Sequence, residues 1–238
     1  TRRFSTLIST EMAGRMSADA AVWECSVRSQ QELGLARPPS GTANFSDANG
    51  WSLPEYYSTI KLVDVNGDGM NDLCGRGSGG VFCALSTGAS FGALRLWQGD
   101  FSDGNGWAKG PYYYSTLQFA DLNADGMMDL CARGERGMHC ALSTGSSFDS
   151  STLWHSEYSD SNSWNSAAKY YSTIQLADLN GDGKADVCGR ASGGMACALS
   201  NGKSFGSLGA WQPDFSDGNG WGNGPHYYST IRLPVISY

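Results

Sequence analysis

The chain repeats itself about every 57 residues, and this limits its fold more than any other feature. Trp51, Trp107, Trp164 and Trp221 are spaced by 56, 57 and 57 residues, and Asp64, Asp121 and Asp178 by 57 and 57. Trp97, Trp154 and Trp211 keep the same period of 57. A repeat of this size is one supersecondary unit that buries its apolar face only by stacking on its neighbours. From residue 51 the unit runs GW, YYSTIKLVD, an acidic loop, DLCGRG, GVFCALSTG and LRLWQGDFSD, then the next NGW.

Each unit carries four candidate strands. STIKLVDV alternates apolar and polar residues. DLCGRG and GVFCALS flank a glycine-rich turn, as the arms of a hairpin do. ALRLWQGDF alternates again, with Leu94, Leu96 and Gln98 on one face and Trp97 on the other. No stretch of helical period is long enough to compete. The fold class is therefore all-β, a β-propeller of four-stranded antiparallel blades. The alternative of a β-helix fits less well, because such repeats are shorter.

The repeats are set at 51–107, 108–164 and 165–221, within a single domain spanning 1–238. Residues 1–50 form a degenerate unit: AAVWECSV (20–27) resembles GGVFCALS, and FSTLIS (4–9) resembles the first strand. Residues 222–238 hold YYSTIRLPV, a first-strand copy with nothing after it. About four blades are expected, with the ring closed by pairing of the N- and C-terminal strands. A second copy completing an open ring would be a homo-oligomer with the same sequence.

The acidic loop reads DVNGDGMND, DLNADGMMD and DLNGDGKAD in the three repeats. Oxygen donors fall at alternate positions: Asp64, Asn66, Asp68, Met70 through its backbone carbonyl, and Asp72. The second set is Asp121, Asn123, Asp125, Met127 and Asp129; the third is Asp178, Asn180, Asp182, Lys184 and Asp186. Ca²⁺ takes six to eight hard oxygens in flexible geometry, whereas Mg²⁺ keeps waters and rarely accepts an all-protein cage. An EF-hand would need a Glu at position 12, where Gly75, Ala132 or Gly189 stands. Nine carboxylates this close repel one another unless a cation joins them. The expected cofactor is Ca²⁺, about three ions per chain, in a structural role. In residues 11–19 the matching positions are Glu11, Ala13, Arg15 and Asp19, and no ion is expected there.

The cysteines form three pairs and one single. Cys74 and Cys83, Cys131 and Cys140, and Cys188 and Cys197 lie opposite each other if the hairpins turn at Ser78-Gly79, Glu135-Arg136 and Ser192-Gly193. Disulfides are expected, with buried thiols as the alternative; Zn²⁺ lacks ligands. Cys25 has no partner in its unit. The pairs carry an expectation of a secreted or extracellular protein; no signal peptide is seen in a chain that begins at Thr1.

The net charge of −7 and the absence of a Lys/Arg cluster argue against nucleic acid. No apolar run approaches the ~20 residues that span a bilayer, so no membrane insertion is expected.

The acidic loop between strands, CALSTGxSF and FSDxNGW resemble the integrin-alpha type repeat, also called FG-GAP or VCBS. Over about residues 45–238 the units are also similar to the calcium-binding propeller lectins of mushrooms, of the oyster mushroom lectin type. The resemblance implies a calcium-stabilised propeller that binds glycans, with galactose and N-acetylgalactosamine types favoured, and performs no chemistry on them. An N-acetylglucosamine or sialic acid lectin, or an integrin-like adhesion propeller binding a protein, are the alternatives.

The residues allow the same reading. A sugar site needs an aromatic face and a few fixed polar groups. The SDxNxW loops offer Asp47, Asn49 and Trp51; Asp103, Asn105 and Trp107; Asp160, Asn162 and Trp164; and Asp217, Asn219 and Trp221. Tyr57, Tyr114, Tyr171 and Tyr228 add ring faces, and Arg76, Arg133 and Arg190 stand near the hairpin turns, within reach of a ligand or simply solvated. The competing reading packs the aromatics between blades, with Asp capping a turn. Several identical weak sites would give avidity on a multivalent surface. An enzyme is not expected, because no nucleophile–base pair recurs and the three histidines are not equivalent between units.

Overall fold

A computed structural model of the chain describes residues 45–233, which lie in one compact unit, Ser40–Tyr238. Three four-stranded antiparallel sheets follow one another along the sequence. The first holds β1 (Lys61–Val63), β2 (Asp72–Gly77), β3 (Gly80–Ala84) and β4 (Arg95–Gln98), paired in that order. The second holds β5 (Gln118–Ala120), β6 (Asp129–Gly134), β7 (Gly137–Ala141) and β8 (Thr152–His155). The third holds β9 (Gln175–Ala177), β10 (Asp186–Ala191), β11 (Gly194–Ala198) and β12 (Gly209–Gln212).

Among the described residues there are three blades rather than four. Most residues expected to build the fourth, and the expected pairing of the two termini, lie outside the described range, as do Glu11, Ala13, Arg15, Asp19 and Cys25. The start of the closing segment is visible. Gln118 Nε2 donates to the Ile174 carbonyl and its Oε1 accepts from Leu176 N; Gln175 makes the same pair of bonds to Ile231 and Leu233. Ile231–Leu233 therefore lies beside β9 as the first strand of repeat three lies beside β5.

One expectation fails locally. YYST does not begin the first strand. Pro54–Tyr57, Pro111–Tyr114, Ala168–Tyr171 and Pro225–Tyr228 are single helical turns. Proline at the first helical position presets the backbone in three of the four. The buried hydroxyl of Thr59 then donates to the Tyr56 carbonyl and accepts from Arg76 N, which hangs the turn on β2.

The hairpins do turn where the cysteine spacing places them. Cys74 faces Cys83, Cys131 faces Cys140 and Cys188 faces Cys197, and each pair is disulfide-bonded. Three such bonds point to an oxidising environment. No helix among the described residues is long and apolar enough to cross a membrane.

The core lies mostly between blades. Trp97, Phe101 and Trp107 at the end of repeat one pack with Leu117, Leu130 and Phe148 of repeat two. Trp154, Tyr158 and Trp164 pack in the same way with Ile174, Val187 and Phe205 of repeat three. Trp97 and Phe148 meet at a tilt with ring centroids 5.4 Å apart, and Trp154 and Phe205 edge-on at 5.3 Å. Trp211 meets no such Phe among the described residues and is 49% exposed.

Glycine is required where the hairpin meets the last strand of its blade. Gly137 has φ 131°, and an added Cβ would collide with the His155 carbonyl. Gly193, in the hairpin of repeat three, has open space around it. Gly137→Ala is expected to cost at least about 2 kcal/mol in urea denaturation, and Gly193→Ala less than about 0.5 kcal/mol.

Candidate functional site

The SDxNxW loop follows the fourth strand of each blade, and its geometry starts with a buried arginine. Arg76, Arg133 and Arg190 were expected near the surface, where a ligand or water would meet them. Instead their side chains are fully buried. They sit on β2, β6 and β10, which are buried along their length except at Ala191. Each is paired with the loop aspartate of its own repeat: Arg76 with Asp103, Arg133 with Asp160 at 2.6 Å, and Arg190 with Asp217.

The first tyrosine of each pair completes the tie. Tyr56 donates to Asp103 at 2.6 Å, Tyr113 to Asp160 at 2.6 Å and Tyr170 to Asp217 at 2.7 Å. Burial, together with the bond to Asp103, pushes the Tyr56 hydroxyl up to about 12. Arg76 also donates to the carbonyls of Phe101 and Glu55. One guanidinium thus joins the helical turn, the second strand and the loop after the fourth.

The other loop residues are also engaged. The side-chain amides of Asn105, Asn162 and Asn219 donate to backbone carbonyls of their own loops. Asn49 bonds Ser46. Trp51, Trp107 and Trp164 are buried, and Trp221 is half-buried. Asp47 is exposed; Tyr57 is exposed, and Tyr114, Tyr171 and Tyr228 are half-buried. In the loops that follow the three blades, the aspartates, asparagines and tryptophans therefore build the loop before anything binds to it.

What faces outward is a groove of about 510 Å³ between this loop of repeat one and the hairpin of repeat two. Asn105 and Trp107 line it, as do Asp100, Lys109, Glu135, Arg136 and His139. The His139 ring stands perpendicular to Trp107, with centroids 6.2 Å apart. Burial, then the nearby Arg136, lowers the His139 pKa. The imidazole is thereby favoured in its neutral form, with one donor and one acceptor nitrogen. Asp100 Oδ2 accepts from Ser151 N at 2.8 Å, which fixes one end of the groove across the blade junction. None of Lys109, Glu135, Arg136 and His139 stood out from the repeat, because a repeat draws attention to what recurs. Their signal was the reverse: they occupy positions where the copies differ.

The acidic loops join β1 to β2, β5 to β6 and β9 to β10. Asp64 accepts from the amides of Gly67, Asp68 and Gly69, so the loop curls around its carboxylate. Asp121 and Asp178 do the same in their loops. Asp72, Asp129 and Asp186 are fully buried and each accepts two backbone N–H bonds. Burial raises their pKa values, that of Asp129 to about 7, and the two neighbouring loop carboxylates push the same way. Among the described residues no three His, Cys, Asp or Glu side chains converge as a metal cluster. The donor chemistry nonetheless suits a hard cation: every candidate ligand atom is oxygen, and buried carboxylates crowded by like charge are those a cation relieves.

A family model described as an FG-GAP-like repeat matches residues 64–132 and 121–189. No curated protein sequence matches the chain. Among solved structures, an Agrocybe aegerita lectin, described as recognising non-reducing terminal N-acetylglucosamine, superposes with a TM-score of 0.66 at 31% identity. That match covers 74% of this chain and 43% of the lectin, so the chain spans less than half of that protein. A Photorhabdus luminescens Tc holotoxin pore gives a TM-score of 0.46 at 19% identity, over 65% of this chain and 7% of that one.

The cross-tie carries an acid-stability prediction. Burial of Asp217 opposes its ionisation, but hydrogen bonds from Lys169, Arg190 and Tyr170 outweigh this and hold its pKa at about 2. A depressed carboxylate stabilises the fold above its unfolded pKa, and that contribution fades as pH falls through the folded value. The Asp217 contribution is therefore full at neutral pH and declines from about pH 4 toward pH 2. Asp217→Asn is expected to flatten this acid limb in pH-dependent chemical denaturation; a limb unchanged by the substitution counts against the assignment. The matched segments span more than half of the sequence, and the chain belongs to the FG-GAP-like repeat family.

Proposed function

We propose that this chain is a calcium-stabilised carbohydrate-binding module that recognises non-reducing terminal N-acetylglucosamine and performs no chemistry on it. The observation that carries this reading is the groove itself. It combines an aromatic edge with closely set donors and acceptors on a rigid wall, which is the composition of a sugar site. The Agrocybe aegerita lectin suggests the sugar: it is described as recognising N-acetylglucosamine, which favours that sugar over the galactose type expected from family resemblance. The groove holds two acidic and two basic side chains, Asp100, Glu135, Lys109 and Arg136. Their charges balance, which suits a neutral sugar better than sialic acid.

Calcium enters as support. In each repeat the first, third, fifth and ninth loop side chains and the seventh carbonyl would hold it: Asp64, Asn66, Asp68, Asp72 and Met70 in the first, with the corresponding residues in the others. The ion would neutralise the loop carboxylates and tie the first strand of a blade to the second. Secretion is the natural setting for the three disulfides.

On a glycan array, binding is expected on glycans ending in N-acetylglucosamine and not on galactose-terminated ones; incubated chitobiose should remain intact. Silence on every glycan, together with capture of a defined protein ligand, would replace this reading by that of an adhesion propeller. For calcium, mass spectrometry of the metal-loaded chain should count three ions. An ion held at a hundred times its Kd adds about 2.7 kcal/mol per site, so EDTA should lower the melting temperature measurably. An unchanged melting temperature in EDTA would overturn the structural role.

A further inference from the structure

The three repeats share a framework but not a groove. His139 stands where repeat one has Phe82 and repeat three has Ala196. Glu135 and Arg136 stand where the others have Ser78-Gly79 and Ser192-Gly193. In repeat one Phe82 packs against Trp51 at 6.5 Å, in the place that His139 takes against Trp107. The corresponding depression in repeat three measures about 190 Å³ and is lined by Ala, Gly, Leu and Met residues only. On the matching hairpin the repeats thus offer an aromatic ring, the rim of a polar groove of about 510 Å³ and a small apolar dimple.

From this we infer that, among the described repeats, sugar recognition is confined to the groove of repeat two, with Arg136 and His139 as its specificity-determining residues. The inference rests on the carbohydrate reading above and sharpens it. Hydroxyls and an acetamido group leave water only if the site returns their hydrogen bonds, and a pocket lined by Ala, Gly, Leu and Met has no charged or hydrogen-bonding side chain with which to do so. Arg136 is exposed and supplies a fixed fork of donors at the rim. His139 is half-buried deeper in the groove, where its ring supplies both a donor and an acceptor beside the Trp107 edge. The repetition of the motif therefore serves the architecture. The expectation of several identical weak sites gives way to one differentiated site in residues 45–233.

Exchanging residues between repeats tests this directly. R136G/H139F installs the repeat-one residues in repeat two. Titration with the methyl glycoside of N-acetylglucosamine, followed by calorimetry, should show affinity falling at least about tenfold, since two hydrogen-bonding groups are lost. Thermal melting and near-ultraviolet dichroism serve as folding controls; Arg136 is exposed on the turn, and Phe82 already occupies the place in repeat one that matches half-buried His139. The reciprocal variant S192E/G193R/A196H should add a second binding event, and the open space at Gly193 admits the larger side chain. Unchanged binding in R136G/H139F overturns the assignment of the groove. If the wild-type chain binds no N-acetylated sugar, the carbohydrate reading fails and this inference falls with it. If the wild-type chain binds and only the reciprocal variant gains nothing, Arg136 and His139 are insufficient as determinants and the claim about specificity is overturned.

Discussion

A guanidinium sealed inside each repeat is the interaction on which the rest depends. Arg76, Arg133 and Arg190 have no exposed side-chain surface, so each must find partners for its donors within the protein. They find a loop aspartate and backbone carbonyls from segments 21 to 25 residues away. This requirement draws the helical turn and the post-strand loop onto the second strand of the blade. Buried pairs of this kind are often no better for stability than apolar substitutes, but removing one partner is costly. Their contribution here is geometric. The loop aspartate is held four residues before the tryptophan, and the indole is thereby placed at the junction with the next blade.

Blade stacking follows from that placement. Phe101 and Trp107 leave repeat one already oriented and form one core with Leu117, Leu130 and Phe148 of repeat two. The acidic loops interlock along the same line: Met128 N donates to the Asp64 carbonyl, Ala185 N to the Asp121 carbonyl, and Ser143 Oγ to the Val65 carbonyl. A loop that stiffens around a cation would therefore stiffen the junction with its neighbour as well as its own blade.

Periodicity made the framework legible. The tryptophan spacing, the opposed cysteines and the alternating strand residues were sufficient for the blade order and the hairpin register, because each is a local consequence of strand geometry. Two things were hidden. YYST looks like a strand start, and only the proline before it and the Thr59 hook reveal a helical turn. Arginine beside a hairpin turn looks solvated, because a sequence does not show that an aspartate 27 residues later will arrive to pair with it. The SDxNxW motif divides between the two roles: Asp103 is taken up by Arg76, while Asn105 and Trp107 line the groove.

The groove sits where these two kinds of information separate. Its back wall is built from recurring residues, Asn105 and Trp107, held by the cross-tie and by the loop backbone. Its rim is built from residues that the other two copies lack, Glu135, Arg136 and His139, on the two-residue turn and the adjoining strand. A tight turn tolerates such change because its side chains point into solvent and the disulfide below holds its register. Repeats of this type can therefore diversify binding at a hairpin tip without touching the buried arginine that keeps the blade closed. Recurrence identifies what the fold requires, and the departure from recurrence at residues 135, 136 and 139 identifies what one blade alone can do.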